Sequence, residues 1–396
     1  MALSFMEGNE AVARGAMAAG CSFFAGYPIT PASTIFSNML TMLPPNGGIC
    51  IQGEDEIASM GYCIGASMVG RKVLTATSGP GISLYSEQIS FAIGSEIPIV
   101  IVDVQRLGPS TGSATRGADG DIQFLRWSNT GGLPVVVLAP KDALDCYTLT
   151  VHAFNFAEML RCPVFIASNK EIGMTRESVD LGSVELPPII ERRYFKPSCD
   201  NVQNQADNLD NPTAGQSSSY LPFKADQNSA PDFLPIGDKT LVRQTSSTHG
   251  SDGYITIDPN IIQASQDRLI NKILSAEEQL TLYEENHRKG ADTLVISYGV
   301  TSRAVEDACS MLEKKGCPVS TLTLKTLFPV PKKLIVDRAA SYRRIVVIEM
   351  NMGQYVENIE RLMFKNNMQE KKIDFYGQMN GVLITPAKIM EVIQNG

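Results

Sequence analysis

The chain has 396 residues, with 34 Lys and Arg against 42 Asp and Glu and a formal net charge of −8. That length implies two or three domains, and an acidic balance without any basic run speaks against a nucleic-acid or anionic-membrane partner, either of which demands a positive face. Hydrophobic residues at 43% and charged residues at 19% describe a globular chain, and no apolar stretch approaches the roughly 20 residues of a membrane span.

The N-terminus, Met1-Ala2-Leu3-Ser4-Phe5-Met6-Glu7, has no basic stretch and no apolar core, so no secretory signal is expected and the cytoplasm is the default location. Residues 8–20, rich in Ala and Met and closed by glycine, read as a helix with a glycine cap. Strand-like residues 21–25 follow, then the Pro28-Ile29-Thr30-Pro31 turn. Further strands are expected over 73–77, 97–104, 135–138 and 164–167, each apolar on both faces, with helical spacing over 57–69, 83–93 and 143–160. Buried strands alternating with helices imply a doubly wound parallel sheet.

The character changes after residue 190. Over 199–232 Asn, Gln, Asp, Ser and Pro dominate, too polar a run to offset its ordering entropy by burial, so it reads as an extended linker or surface loop. Asp258-Pro259 offers an N-cap and a proline at the first helical position, and Ile262, Leu269, Ile273 and Leu280 continue at helical spacing to about residue 286. A second αβ unit opens at Asp292, with strands over 293–297, 319–324, 345–349 and 382–385 and helices over 301–315 and 355–364. The expected division is a domain over 1–190, a linker with its connecting helix over 191–289, and a second domain over 290–396.

Eight cysteines are scattered with no two closer than eight positions. A zinc ribbon or iron–sulfur site uses closely spaced thiolates, so no metal centre is assigned to this chain and the thiols read as buried packing groups. Three histidines leave little room for a Ser-His-Asp or Cys-His mechanism. The chemistry is expected from a cofactor or from a second chain.

Four segments stand where a strand yields to a loop, the place where open parallel sheets bind ligands. In Tyr27-Pro28-Ile29-Thr30-Pro31-Ala32-Ser33 two prolines stiffen the backbone that presents Tyr27 and Thr30, or Thr30 and Ser33 merely cap the next helix. Glu54-Asp55-Glu56 opens a small-residue helix; the carboxylates complement its dipole, or one of them is kept dry and shares a proton with a heterocyclic nitrogen. Thr77-Ser78-Gly79-Pro80-Gly81 suits close approach to a flat ring or an anion, yet it is neither a Walker loop nor a dinucleotide fingerprint. From Arg106 to Asp121, two arginines flank a run of hydroxyl and glycine residues fit for a carboxylate or phosphate. Within it, Asp119-Gly120-Asp121 is weak as a Mg²⁺ loop, and the same residues can instead brace the loop.

In this order and spacing, the segments resemble the α subunit of the thiamine-diphosphate-dependent 2-oxoacid:ferredoxin oxidoreductases. The likeness begins at Gly8-Asn9-Glu10-Ala11 and takes in all four segments as far as Trp127. It resumes over 249–259, at Leu324-Lys325-Thr326-Leu327-Phe328-Pro329 and at Glu349-Met350-Asn351-Met352-Gly353-Gln354. The resemblance implies a pyrimidine-binding first domain and a second domain like the C-terminal domain of transketolases. It implies that Glu56 contacts the aminopyrimidine and shares a proton with N1′, that Tyr27, Pro28, Ile29, Ser78 and Gly79 lie along the cofactor, and that Thr30, Arg106, Thr115 and Arg116 hold the substrate carboxylate.

The Gly-Asp-Gly…Asn motif for Mg²⁺-diphosphate is absent, so the resemblance implies that the diphosphate, Mg²⁺ and [4Fe-4S] clusters sit on a β subunit and that thiamine diphosphate is shared with it. It further implies separate γ and ferredoxin-like δ subunits, CoA as co-substrate and ferredoxin as electron acceptor. The run from Gly117 to Trp127 is most similar to the 2-oxoglutarate members of the family, so the resemblance implies 2-oxoglutarate, converted to succinyl-CoA. Branched-chain or aryl 2-oxoacids, or a non-redox thiamine-diphosphate transferase or decarboxylase component, are the alternatives.

Overall fold

A computed structural model describes residues 3–196 and 220–395. The part of the polar segment from 199 to 219, with Cys199, lies outside them.

Strand β1 (Ser4–Glu7) leads directly into α1 (Gly8–Ala18), which closes at Gly20 with φ +82° and a Cys21 amide donated back to the Ala16 carbonyl at 2.9 Å. Then come β2 (Phe23–Gly26), α2 (Ser33–Met42), β3 (Ile49–Gln52), α3 (Glu56–Met68) and β4 (Val73–Thr77). The single helix expected over 83–93 is two, α4 (Pro80–Leu84) and α5 (Ser86–Gly94). They part at Tyr85, which is fully buried with its hydroxyl 2.9 Å from Thr75 Oγ1.

The unit continues through β5 (Ile99–Gln105), α6 (Ile122–Trp127), β6 (Val136–Leu138), α7 (Ala143–Leu160), β7 (Pro163–Asn169), α8 (Lys170–Met174) and β8 (Arg176–Val179). Every residue of β4, β5 and β7 is buried, which is why these strands read as unbroken apolar runs. Helix α7 lies tightly on α1 because Gly15 has no side chain: a Cβ there would come within 2.5 Å of the Tyr147 carbonyl oxygen. β1 pairs antiparallel with β8, apart from the main sheet.

Residues 220–257 hold no helix or strand, only isolated bridges at Phe233 and between His249 and Ile255. They are pinned by buried Phe223, Ala230 and Phe233 and by the Arg192 guanidinium 4.5 Å above the Phe233 ring. The connecting helix α9 (Pro259–Leu274) has the expected cap, Asp258 accepting from the Asn260 amide, but stops twelve residues short of the expected 286. A short α10 (Glu277–Leu280) follows, and residues 283–286 form β9 (Tyr283–Asn286) instead. Pairing of β9 with a neighbouring strand outweighs the helical spacing here.

The second unit runs β10 (Thr293–Tyr298), α11 (Thr301–Lys314), β11 (Ser320–Leu324), β12 (Thr326–Phe328), α12 (Lys332–Ala340), β13 (Arg344–Glu349), α13 (Val356–Lys365), β14 (Lys372–Gly377) and α14 (Pro386–Asn395). Residues 382–385 are not a strand: Val382 and Leu383 are 54% and 43% exposed, and one edge of this unit's sheet is β14, a half-exposed strand whose polar Lys-Ile-Asp sequence hides it.

Two mixed, mainly parallel sheets result. The larger has the order β12-β6-β7-β5-β4-β2-β3 and the smaller β14-β13-β10-β11-β9, with β12 and β9 the antiparallel members. Strand β12 comes from the second half of the chain yet closes the edge of the first sheet, with Thr326 opposite Leu138. Among the described residues no helix is long and apolar enough to cross a membrane.

Candidate active site

The four segments all emerge at the carboxyl edge of neighbouring strands. Residues 27–33 follow β2, Glu54–Glu56 follow β3, Thr77–Gly81 close β4, and Arg106 follows β5, while β5, β4, β2 and β3 are successive in the sheet. Strand order therefore gathers what the sequence spreads over 95 positions from 27 to 121.

Of the three carboxylates at the start of α3, one is sequestered. Asp55 is the N-cap, its side chain accepting from the Ala58 amide at 2.7 Å, and Glu54 receives the exposed Tyr62 hydroxyl at 3.4 Å. Glu56 is only 7% exposed, and among the described residues its carboxylate has neither a hydrogen bond nor an ion pair. Gly81 makes room for it: a Cβ at residue 81 would sit 2.8 Å from Glu56 Oε1 and overlap Thr77 Oγ1.

The neighbouring loop is built for close approach. Gly79 has φ +45°, a conformation that favours glycine, and a Cβ there would come to 3.4 Å from Arg106 Nε. Thr77 Oγ1, Ser78 Oγ and Arg106 Nε are buried without a hydrogen-bond partner among the described residues. Such orphaned groups are costly unless a ligand meets them. Buried Arg106 donates through Nη1 to the Thr30 carbonyl at 2.5 Å, so it is the Thr30 backbone that engages the arginine.

Tyr27, Pro28 and Thr30 are exposed at the same edge and Ile29 is half-buried. Thr115 and Arg116 are not drawn in: both are exposed, and no hydrogen bond or ion pair joins either side chain to Arg106 or Thr30 among the described residues. Arg116 accepts the Leu107 amide through its carbonyl at 2.8 Å and packs its side chain over Gly381 of the second unit.

The loop that carries Arg106 is locked to the second unit. Asp119 accepts from Asn169 Nδ2 at 2.7 Å and donates its amide to the Met350 carbonyl at 2.9 Å, so it braces the loop. Asn351 Nδ2 reaches the Asp119 carbonyl at 2.9 Å and the Tyr298 hydroxyl at 2.7 Å; that hydroxyl donates to Glu349, which also receives the Tyr355 and Val356 amides. Gln354 accepts from the Gln123 amide through its side chain and from Gln123 Nε2 through its carbonyl, and donates through Nε2 to the Gly120 carbonyl. Among the described residues no group of three or more His, Cys, Asp or Glu is arranged to hold a metal ion.

One pair went unmarked in the sequence. Asp103, inside buried β5, lies beside Asp121 and Arg106, and no hydrogen-bond donor satisfies either oxygen of Asp103 or Oδ2 of Asp121 among the described residues. Two adjacent buried carboxyls are stable only when they share a proton. Burial, then the mutual charge, pushes Asp103 well up, and burial raises Asp121 to about 6. An aspartate in an otherwise apolar strand was the available signal.

The folded state thus holds a proton that the unfolded chain releases near its ordinary carboxylate pKa. The pair's contribution to stability is full below about pH 4 and declines above it, first as Asp121 titrates at about 6 and further at the higher pH where Asp103 gives up the shared proton. Asp103→Asn, which replaces the proton with an amide donor, is expected to flatten the decline of urea stability between these values. Equal slopes for the two proteins would refute the shared proton.

The chain matches a pyruvate flavodoxin/ferredoxin oxidoreductase thiamine-diphosphate-binding domain over residues 14–232 and a pyruvate:ferredoxin oxidoreductase core domain II over 291–389. It is 36% identical to the 2-oxoglutarate synthase subunit KorA of Methanothermobacter marburgensis over 98% of both chains. Its fold superposes with a TM-score of 0.86 and 29% identity on the 2-oxoglutarate:ferredoxin oxidoreductase of Magnetococcus marinus, solved with 2-oxoglutarate, coenzyme A and succinyl-CoA bound, covering 99% of this chain and 65% of that one. A split-gene transketolase at 13% identity and TM-score 0.55 shares the fold over 99% of this chain and 98% of its own.

Proposed function

This chain belongs to the pyruvate flavodoxin/ferredoxin oxidoreductase family, and we propose that it is the α-type subunit of a CoA-acylating 2-oxoglutarate:ferredoxin oxidoreductase. In that reaction 2-oxoglutarate and CoA yield succinyl-CoA, CO₂ and a proton, and two electrons pass to ferredoxin. The observation that carries the reading is the convergence of a largely buried, unpaired Glu56, a glycine-lined loop and a buried Arg106 at one sheet edge. The choice of 2-oxoglutarate is supported by the near full-length likeness to a KorA subunit and by the ligands of the Magnetococcus enzyme.

The residues present fit thiamine diphosphate: an unpaired carboxylate for a pyrimidine nitrogen, two unspent hydroxyls, and a Gly79 backbone that a flat ring can approach. When bound, this cofactor supplies the electron sink for cleavage next to the 2-oxo group. Glu56 holds a proton at the pyrimidine N1′, while Tyr27, Pro28, Ile29, Ser78 and Gly79 enclose the ring. Arg106, anchored on Thr30, turns its remaining N–H groups to the substrate carboxylate. Thr30 adds a hydroxyl at the same edge, while Thr115 and Arg116, exposed and unconnected to Arg106, are left out of this arrangement. The chain acts as one subunit of a larger assembly: a β subunit brings the diphosphate and Mg²⁺ site and the [4Fe-4S] clusters, with γ and ferredoxin-like δ subunits alongside.

Purification of the chain with its co-purifying partners is the test. The complex is expected to reduce viologen in the presence of CoA with 2-oxoglutarate and more slowly with 2-oxoisovalerate or aryl pyruvates. Arg106→Lys loses the planar fork and is expected to weaken apparent oxoacid binding, with KM rising by about 10- to 100-fold and a smaller change in kcat. Turnover without any electron acceptor would identify the non-redox alternative, and a preference for a branched-chain acid would move the substrate.

A further inference from the structure

A groove of about 700 Å³ opens between the two units, away from the carboxyl edge just described. Its walls include Val135, just before β6, so it lies toward the amino ends of the parallel strands, whereas Arg106 follows the carboxyl end of β5. Trp127, Phe328 and Leu362 supply apolar surface, and Arg126, Lys333, Arg361 and Lys365 line the same space.

Charge is what sets this groove apart. The chain as a whole carries −8, yet four cations gather here against one lining carboxylate, Asp337. A fifth, Lys332, is 3.8 Å from Glu277. Arg361, Lys333 and Lys365 have no ion pair or hydrogen bond among the described residues. Arg126 has no ion pair among the described residues, its one hydrogen bond going to the Leu133 carbonyl at 3.3 Å, and both burial and the neighbouring Arg361 work against its charge. Asn358 turns a buried, unpartnered Nδ2 donor to the same wall. Like charges brought together with donors unspent form a site that an anion completes.

The aromatic element narrows the anion. Trp127 is 55% exposed, with the Arg126 guanidinium 4.0 Å from the centre of its ring, and it is held by an indole N–H to Gln123 Oε1 at 3.1 Å. An exposed, fixed indole with a guanidinium stacked over one face is a flat cationic platform on which a heterocycle can stack. The volume is that of a small-molecule site. We infer that this groove binds a small phosphate-bearing anion of nucleotide size, its phosphates on Arg361, Lys333 and Lys365 and its ring against Trp127.

Trp127 is the only tryptophan in the chain, so its fluorescence reports on the groove directly. Titrating the full chain with ATP is expected to quench that emission and raise the melting temperature, both effects weakening with added salt. Arg361→Ala combined with Lys365→Ala, two exposed positions, is expected to weaken binding by about tenfold or more, and Lys333→Ala alone by a smaller factor. Tripolyphosphate is the second probe: weaker binding than ATP supports the ring on Trp127, and equal or tighter binding overturns that contact. The inference is overturned if neither probe changes emission or melting at millimolar concentration. It is equally overturned if the double variant binds as the wild type does, or if polyglutamate binds more tightly than ATP and tripolyphosphate, which would make the groove a dock for an acidic polypeptide.

Discussion

Glu56→Gln is expected to slow oxoacid-driven viologen reduction by the assembled complex by about 10²- to 10⁴-fold at saturating substrate, the range for losing a positioned acid–base group. The side chain is 7% exposed and meets no donor of its own chain among the described residues, so the carboxylate is held in reserve for a ligand atom. Glutamine keeps the shape that Gly81 and Thr77 accommodate but cannot exchange a proton with a ring nitrogen. Because Arg106 is untouched, the oxoacid KM is expected to change little. Far-UV circular dichroism and melting should match the wild type, which separates a chemical defect from a folding one. Rates within about tenfold of wild type would remove Glu56 from the mechanism.

The second large effect concerns stability. Glu96 is fully buried in a left-handed conformation, φ +53°, just after α5. Its Oε2 accepts from Arg268 Nη1 at 3.0 Å and Lys272 Nζ at 2.8 Å, its Oε1 accepts from Arg268 Nη2, and its carbonyl receives Arg161 Nε at 3.1 Å. Burial alone would raise its pKa, but Lys272 and Arg268 hold it at about 2. This carboxylate therefore ties the connecting helix α9 to the first unit, and it is the counter-charge for three buried cations.

Glu96→Gln leaves Arg268 and Lys272 buried without a counter-ion, and the expected loss is about 3–5 kcal/mol in urea unfolding of the purified chain. Since the folded pKa is depressed, the wild-type contribution is present above about pH 4.5 and disappears as pH falls toward 2. The variant should accordingly show a weaker acid dependence. A loss below about 1 kcal/mol would mean that solvent reaches the cluster and the burial argument fails.

Much of the fold was legible because burial writes itself into composition. β4 and α7 have the bounds that the apolar runs indicated, and β5 and β7 differ from expectation by a few end residues. Edge elements were not legible. β14 is polar and half-exposed, β9 follows residues with helical spacing, and the exposed pair Val382 and Leu383 imitates a strand. In each case a partner strand, not the local pattern, decides the state.

The site divides in the same way. The four segments, the glycines, the Glu54–Glu56 carboxylates and Arg106 were marked by residue type and by their place after strands, and the choice of Glu56 among the three was implied by the family resemblance. Which carboxylate is largely buried and unpaired, and that Arg106 engages the Thr30 carbonyl, depended on packing. So did the Asp103–Asp121 pair, since 18 positions separate residues that meet only when the loop after β5 folds back.

The sequence by itself determined an acidic αβ chain with a ligand edge of hydroxyl, glycine, carboxylate and guanidinium groups, because hydrophobic periodicity and side-chain chemistry are local properties. The tertiary structure alone decided that β12 crosses to the first sheet, that Asn351 and Glu349 lock the Arg106 loop, and that a basic groove forms between the units. Those features arise from contacts across long stretches of chain, where proximity is set by strand order and burial rather than by any neighbouring residue.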